Sequence, residues 1–259
     1  MNPLELFEKE RLARISKYQN NDDLKNLSNK WLQLSMKEGF VYNFDWLGRP
    51  IIQYPNDIVG FQEIVWKVKP DLIIETGIAH GGSLILSASL LALLDLMEAT
   101  ELGIPLDTQN TKRKVVGVDI DIRKHNRELI ESNPLANRII MIEGSSVDQD
   151  VIDQVKDISK GYKKVLVCLD SMHTHDHVLK ELKLYTELVS IGSYCIVYDT
   201  FVEDIAKGFF SNRPWDVGDN PKTAVTEFMY NNPEFEIDHF IHNKLQITVA
   251  PNGFLKRIS

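Results

Sequence analysis

The stretch "DLIIETGIAHGGS", Asp71 to Ser83, decides how the chain is read. A short apolar run bounded by turn residues fits a buried strand. Gly77, Gly81 and Gly82 then punctuate a tight turn, and the apolar segment after them predicts a helix over 82–98. The same unit recurs downstream. Strand "KVVGVDI" precedes helix "RKHNRELIES", "RIIMIEG" precedes "DQDVIDQVKDI", and "KVLVCLD" precedes "HVLKELKLYTELV"; strand "SYCIVYD" follows. Alternating strands and helices of these lengths predict an α/β fold, a doubly wound and mainly parallel sheet with crossover helices on both faces.

Around this repeating core the pattern changes twice. Residues 1–55 carry two helical patterns and the aromatic piece "GFVYNFDWLGRPIIQYP", and are read as a helical N-terminal extension on a main domain of residues 56–259. The next helix, "IVGFQEIVWKV", is expected to be capped by Asn56 or Asp57. Near the other end, helix "KTAVTEFMYNN" is followed by "FEIDHFI" and "LQITVA", two alternating runs that predict an antiparallel C-terminal hairpin at the sheet edge. The irregular segment 201–221, with Phe209, Phe210 and Trp215 among charges, has the composition of a lid or of a surface excursion.

Composition narrows the function. With 29 basic against 37 acidic residues, a formal charge of -8 and no basic block, nucleic acid is not an expected partner. Cys168 and Cys195 each sit in an apolar run and suggest neither a disulfide framework nor a zinc ribbon. The longest apolar segment, "SLILSASLLALLDLM", is short and interrupted for a bilayer span, and the charged N-terminus lacks the apolar core of a signal peptide, so a cytoplasmic location is expected.

An open parallel sheet binds ligands at the carboxyl ends of its strands. Here each of five strand ends carries an acid: Glu75, Asp119, Glu143, Asp170 and Asp199. Helix capping accounts for any one of them more easily than for all five. Asp119 lies 42 residues beyond Gly77, and the turn is not GxGxxG, which disfavours a nicotinamide dinucleotide. Glu75 and Asp119 flanking a glycine-rich turn suit a cofactor with an ammonium group and a ribose diol, two features of S-adenosylmethionine.

The runs "KPDLIIETGIAHGGS", "VVGVDIDIR", "IEGSSVD", "LDSMHTHDHVLKEL", "LVSIGSYCIVYDT" and "NPKTAVTEF…GFLKR" together resemble the cephalosporin hydroxylase and rhamnosyl O-methyltransferase family of S-adenosylmethionine-dependent methyltransferases. The resemblance covers about four-fifths of the chain. It implies a class I, Rossmann-like methyltransferase fold acting on a sugar hydroxyl of a surface polysaccharide, glycolipid or nucleotide-sugar precursor, and a homo-oligomer. On this reading Glu75, Gly77, Ala79, Gly81, Ser83, Asp119, Ser145, Ser146 and Asp170 line the cofactor. Two other readings are a catalytically lapsed module that binds cofactor or sugar, and an iron-dependent hydroxylase.

The densest group of ligand-type side chains is "LDSMHTHDH", Leu169 to His177. It falls one residue short of the HxHxDH spacing of a zinc hydrolase. His175 and Asp176 read as a solvated helix start, and His177 as a packing or capping residue. Asp170 and Asp199, on strands about 4.8 Å apart, can share one Mg²⁺ on the acceptor hydroxyls, leaving His173 as the general base. Two departures bear on the metal: Tyr198 and Met172 stand where relatives carry acids, and Glu203 or Asp204 on the lid are the candidates to compensate.

Overall fold

All five apolar runs become strands of one seven-stranded sheet, four of them inner and Ile139–Glu143 at an edge, in a computed structural model that describes residues 2–259. The chain begins with helices α1 (Pro3–Tyr18) and α2 (Asp22–Lys37), the short hairpin β1 (Phe44–Trp46) and β2 (Arg49–Ile51), and helix α3 (Pro55–Val68). Then come β3 (Leu72–Thr76), α4 (Gly82–Leu102), β4 (Lys114–Asp119), α5 (Lys124–Glu131), β5 (Ile139–Glu143), α6 (Gln149–Ser159), β6 (Val165–Leu169), α7 (His175–Tyr185) and β7 (Tyr194–Val197). Helix α8 (Pro221–Asn231), β8 (Phe235–Ile237), α9 (His239–Leu245) and β9 (Phe254–Arg257) complete it.

Across the sheet the order is β5-β4-β3-β6-β7-β9-β8. The first five strands are parallel, and β9 runs antiparallel to both of its neighbours. Every residue of β3 and of β6 is buried, because helices cover both faces of a parallel sheet. Side chains alternate across the pleat. Ile73 joins the core beneath α3 and α4, while Leu72 and Ile74 join the core beneath α6, α7 and α8. Helix α4 is the one helix among the described residues long and apolar enough to cross a membrane by length and composition, and 61% of its apolar window is buried in this core.

The end of the N-terminal extension packs into the core of the main domain. Ile51 and Tyr54 are 1% exposed, and a Cβ on Gly82 would stand 2.3 Å from the Pro50 carbonyl oxygen. Glycine at 82 is therefore what lets β2 lie against the start of α4.

Two expectations are corrected. The antiparallel hairpin exists, but it pairs β8 with β9; 239–245 is helical and 245–250 is not a strand. The cause is Asp57, which accepts from the Thr248 hydroxyl and, at 3.0 Å, from the Val249 amide, drawing that segment out of any ladder. Asp57 is thus no helix cap. Helix α3 begins at Pro55 behind Tyr54 without a side-chain cap, a position that suits proline because its missing N–H would go unpaired anyway. Asn56 instead donates to the Leu245 carbonyl at 3.0 Å.

Candidate active site at the carboxyl edge of the sheet

Strands β3 and β6 are neighbours, yet the chain leaves β3 toward β4 and β5 on one side and returns to β6 on the other. Their following loops part at this reversal and leave a crevice. At its base Gly77 has φ of 90°, and a Cβ there would lie 2.0 Å from the Asp170 carbonyl oxygen. Only glycine fits that conformation and that contact.

The turn after β3 is held by its neighbours. Asp119 Oδ2 accepts from the amides of Ile78 at 2.7 Å and Ala79 at 3.2 Å, and its Oδ1 accepts from Asp121 N at 3.1 Å. A carboxylate has about four acceptor positions, so one stays free for a hydroxyl. Ala79 has φ of 47°, a left-handed conformation that a non-glycine residue holds only under constraint. Ser83, in the first turn of α4, donates to Glu75 Oε1.

Above the turn opens a cleft of ≈ 440 Å³. One wall is Gly77 to His80, another is Asp170, His173 and Asp199, and the lid contributes Phe210, Arg213 and Trp215. Tyr42 and Gln53 close it from the N-terminal side. His173 Nε2 lies 2.9 Å from Asp199 Oδ2, and its ring meets Trp215 edge-on with centroids 4.6 Å apart. Asp199 itself has φ of 56°, which aspartate tolerates better than most residues. Gln53 Nε2 donates to Asp170 Oδ2 at 3.1 Å.

Asp170, His173 and Asp199 each offer one atom within 4.8 Å of the other two. The Gln53 Oε1, buried, has no partner among the described residues. Two carboxylates, with the unpartnered amide oxygen of a glutamine that is hydrogen-bonded to one of them, form a hard donor set that a divalent cation accepts, so the residues fit a metal despite Tyr198. That tyrosine is 8% exposed, and burial, then the buried Cys168 and the nearby acids, pushes its phenol up, which makes it a poor substitute for a carboxylate ligand. Asp170 is likewise held well above the ordinary carboxyl range, by burial first and then by the charges of Asp199, Glu75, Glu181 and Asp57. A cation at this point would reverse that balance.

Beneath the cleft is a smaller chamber lined by Gln53, Asp57, Glu75, Ser83, Ser87, Cys168, Asp170 and Tyr198. Burial raises Glu75 from 4.5 to about 7, opposed by the Ser83 hydrogen bond. Burial raises Asp57 from 3.8 to about 7, opposed by Thr248 and Val249. Glu75 therefore belongs to this inner chamber, with Ser83 lining both spaces.

Other sequence-selected residues are elsewhere. Gly81, with φ of 82°, packs against Ile130. Ser145 and Ser146 do not line the cleft; Ser146 Oγ lies 3.1 Å from His177 Nε2, which also stands 3.2 Å from Ser171 Oγ. His175 is not merely solvated: its Nδ1 is 2.8 Å from Thr223 Oγ1, and its amide donates to Asp219 at 2.7 Å, tying α7 to the end of the lid. Glu203 accepts from Gly218 N and Asn220 Nδ2, and Asp204 pairs with Lys222, so neither compensates for Tyr198. The sequence reading missed Gln53, Arg49 and Asn126, and took Asp57 only as a possible helix cap. Each is marked by a partner distant in sequence and not by its neighbours.

A parallel sheet reversing between β3 and β6, closed by an antiparallel pair, with a glycine turn, an acid at the end of β4 and a lidded cleft, defines the class of Rossmann-like, S-adenosylmethionine-dependent methyltransferase folds. Within it, the chain belongs to the rhamnosyl O-methyltransferase/CmcI family, whose model matches residues 38–258. The chain is 30% identical over 209 residues to a rhamnosyl O-methyltransferase of Mycobacterium tuberculosis, covering 78% of this chain and 73% of that protein. It is 27% identical over 247 residues to the Mycobacterium leprae rhamnosyl O-methyltransferase, covering 93% of each. Among solved structures, CmcI described with Mg and S-adenosylmethionine superposes with a TM-score of 0.54 at 17% identity, covering 84% of this chain and 78% of that one.

Proposed function

We propose that this protein is an S-adenosylmethionine-dependent O-methyltransferase acting on a sugar hydroxyl. The observation that carries the reading is one cleft joining the glycine turn after β3 to the Asp170, His173 and Asp199 cluster under a lid. Family membership supports the reaction class, and the rhamnosyl O-methyltransferases among its relatives support a sugar acceptor in a glycolipid, polysaccharide or nucleotide-sugar precursor.

In this reading the turn from Gly77 to Ser83 and the free acceptor position of Asp119 hold the cofactor, whose sulfonium supplies an already activated methyl group. Asp170 and Asp199 would hold a divalent cation such as Mg²⁺, which when bound supplies Lewis acidity toward the acceptor hydroxyl. The chain's own work is alignment and proton removal. Asp199 accepts from His173 Nε2, which leaves Nδ1 with the lone pair that takes the hydroxyl proton. Trp215 fixes the plane of that ring, and the lid from Phe201 to Trp215 excludes water while the methyl group is transferred.

Calorimetric titration with S-adenosylmethionine and its demethylated product, followed by transfer of a labelled methyl group to rhamnosylated acceptors, tests this. Binding of both ligands and labelled product are expected. His173→Ala should lower turnover about 100-fold with cofactor affinity unchanged; wild-type turnover in that variant removes His173 as base. The loss of a carboxylate at Tyr198 favours one other reading, a module that binds without turning over. Binding without transfer to any acceptor would select it.

A further inference from the structure

The shape of the cofactor turn is set from outside the turn. Arg49, on β2 and 9% exposed, donates through Nε to the His80 carbonyl at 3.1 Å and through a terminal nitrogen to the same oxygen. That terminal nitrogen also donates to Asn126 Oδ1 at 3.1 Å. Asn126, on α5 and 3% exposed, donates from Nδ2 to the Ala79 carbonyl at 2.9 Å. Two consecutive carbonyls of the turn are therefore held by two buried side chains that also hold each other.

Peptide units are planar, with N–H pointing opposite to C=O. Fixing the Ala79 carbonyl on Asn126 thus turns the His80 amide away from α5. Among the described residues that amide has no acceptor, whereas the amides before it, Ile78 and Ala79, are taken by Asp119. His80 lines the open cleft. An unpaired backbone N–H there is a ready donor to an anionic oxygen. The left-handed φ of 47° at Ala79 is the conformation this arrangement demands, and such strain persists only where surrounding contacts over-determine it.

We propose that Arg49 and Asn126 are positioning residues that hold the turn so that the His80 amide meets the carboxylate of the cofactor's amino-acid part. The inference rests on the methyltransferase reading, and it assigns residues of the N-terminal arm and α5 to a site neither of them lines. The pair touches no ligand. Its effect reaches the ligand through two main-chain carbonyls.

The test compares S-adenosylmethionine with 5′-methylthioadenosine, which keeps the nucleoside and lacks the carboxylate, by calorimetry on the full chain. Arg49→Ala and Asn126→Ala should each weaken S-adenosylmethionine about tenfold, the scale of one charge-assisted hydrogen bond, while methylthioadenosine affinity changes less than twofold. Arg49→Lys, which can reach His80 but cannot fork to Asn126, should fall between. In turnover, KM for the cofactor should rise while kcat and the acceptor KM stay level. Equal loss for both ligands would mean general loosening of the site and overturn the inference. Unchanged affinity for S-adenosylmethionine in folded Asn126→Ala and Arg49→Lys would overturn it as well, and these two carry the test if Arg49→Ala does not fold. Wild-type protein that binds neither ligand would overturn the methyltransferase reading, and this inference with it.

Discussion

Replacing Asp57 by asparagine should make the protein more tolerant of alkaline pH. Asp57 is 2% exposed, and burial outweighs its hydrogen bonds from Thr248 and Val249, so its carboxyl titrates at about 7 rather than 3.8. A raised folded-state value means that the folded protein binds the proton more tightly than the unfolded chain does. Stability is then highest below about pH 4 for this group, falls as pH rises toward 7, and levels off above it. The interval is about three pH units at 1.36 kcal/mol each, about 4 kcal/mol in all. Asparagine is neutral throughout. Its oxygen can still accept from Val249 N–H, and its amide nitrogen faces the Thr248 hydroxyl. Relative to wild type, Asp57→Asn should therefore gain about 4 kcal/mol between pH 4 and pH 8. Urea unfolding at both pH values, read by far-UV circular dichroism, gives the difference. Glu75 keeps its own dependence in both proteins and cancels. A gain below about 1 kcal/mol would refute the reasoning, since the carboxyl would then be ionised at little cost in the folded state.

The other expectations concern the cofactor and the core. Asp119→Ala should weaken S-adenosylmethionine at least about tenfold by calorimetry, because both the turn and a hydroxyl lose their acceptor; unchanged affinity would take the cofactor away from this turn. Asp95→Ala should destabilise the fold by about 3 kcal/mol in denaturant unfolding, since it strands Arg138, 4% exposed at its side chain, beside Arg113.

The parallel sheet was legible because strands covered on both faces are nearly continuous apolar runs, so β3, β4, β6 and β7 stand out from their helices, and the edge strand β5 keeps four apolar residues of five. The rule about strand ends puts Asp119, Asp170 and Asp199 at the carboxyl edge of the sheet, and there they lie. The C-terminal region was less legible. Seven residues such as "HFIHNKL" fit both periodicities, and what decides against a strand at 245–250 is Asp57, about 190 positions earlier. Gln53, Arg49 and Asn126 were invisible for a related reason. Their partners, Asp170, His80 and Ala79, lie 117, 31 and 47 positions away, and no local pattern reports a contact at that range. Glu75 was read as a strand-end acid; it is the fourth of the five residues of β3 and lines the inner chamber.

The order of strands also sets an order of events during synthesis. Strand β8 reaches the rest of the sheet only through β9, which is made after it. The near end of the lid waits on the same stretch: Thr200 donates to the Pro251 carbonyl at 2.8 Å, and Phe201 N to the Val249 carbonyl. A nascent chain can therefore complete its five parallel strands and the glycine turn after β3 while the lid still hangs loose. The glycine-turn side of the cleft can be assembled before its lid.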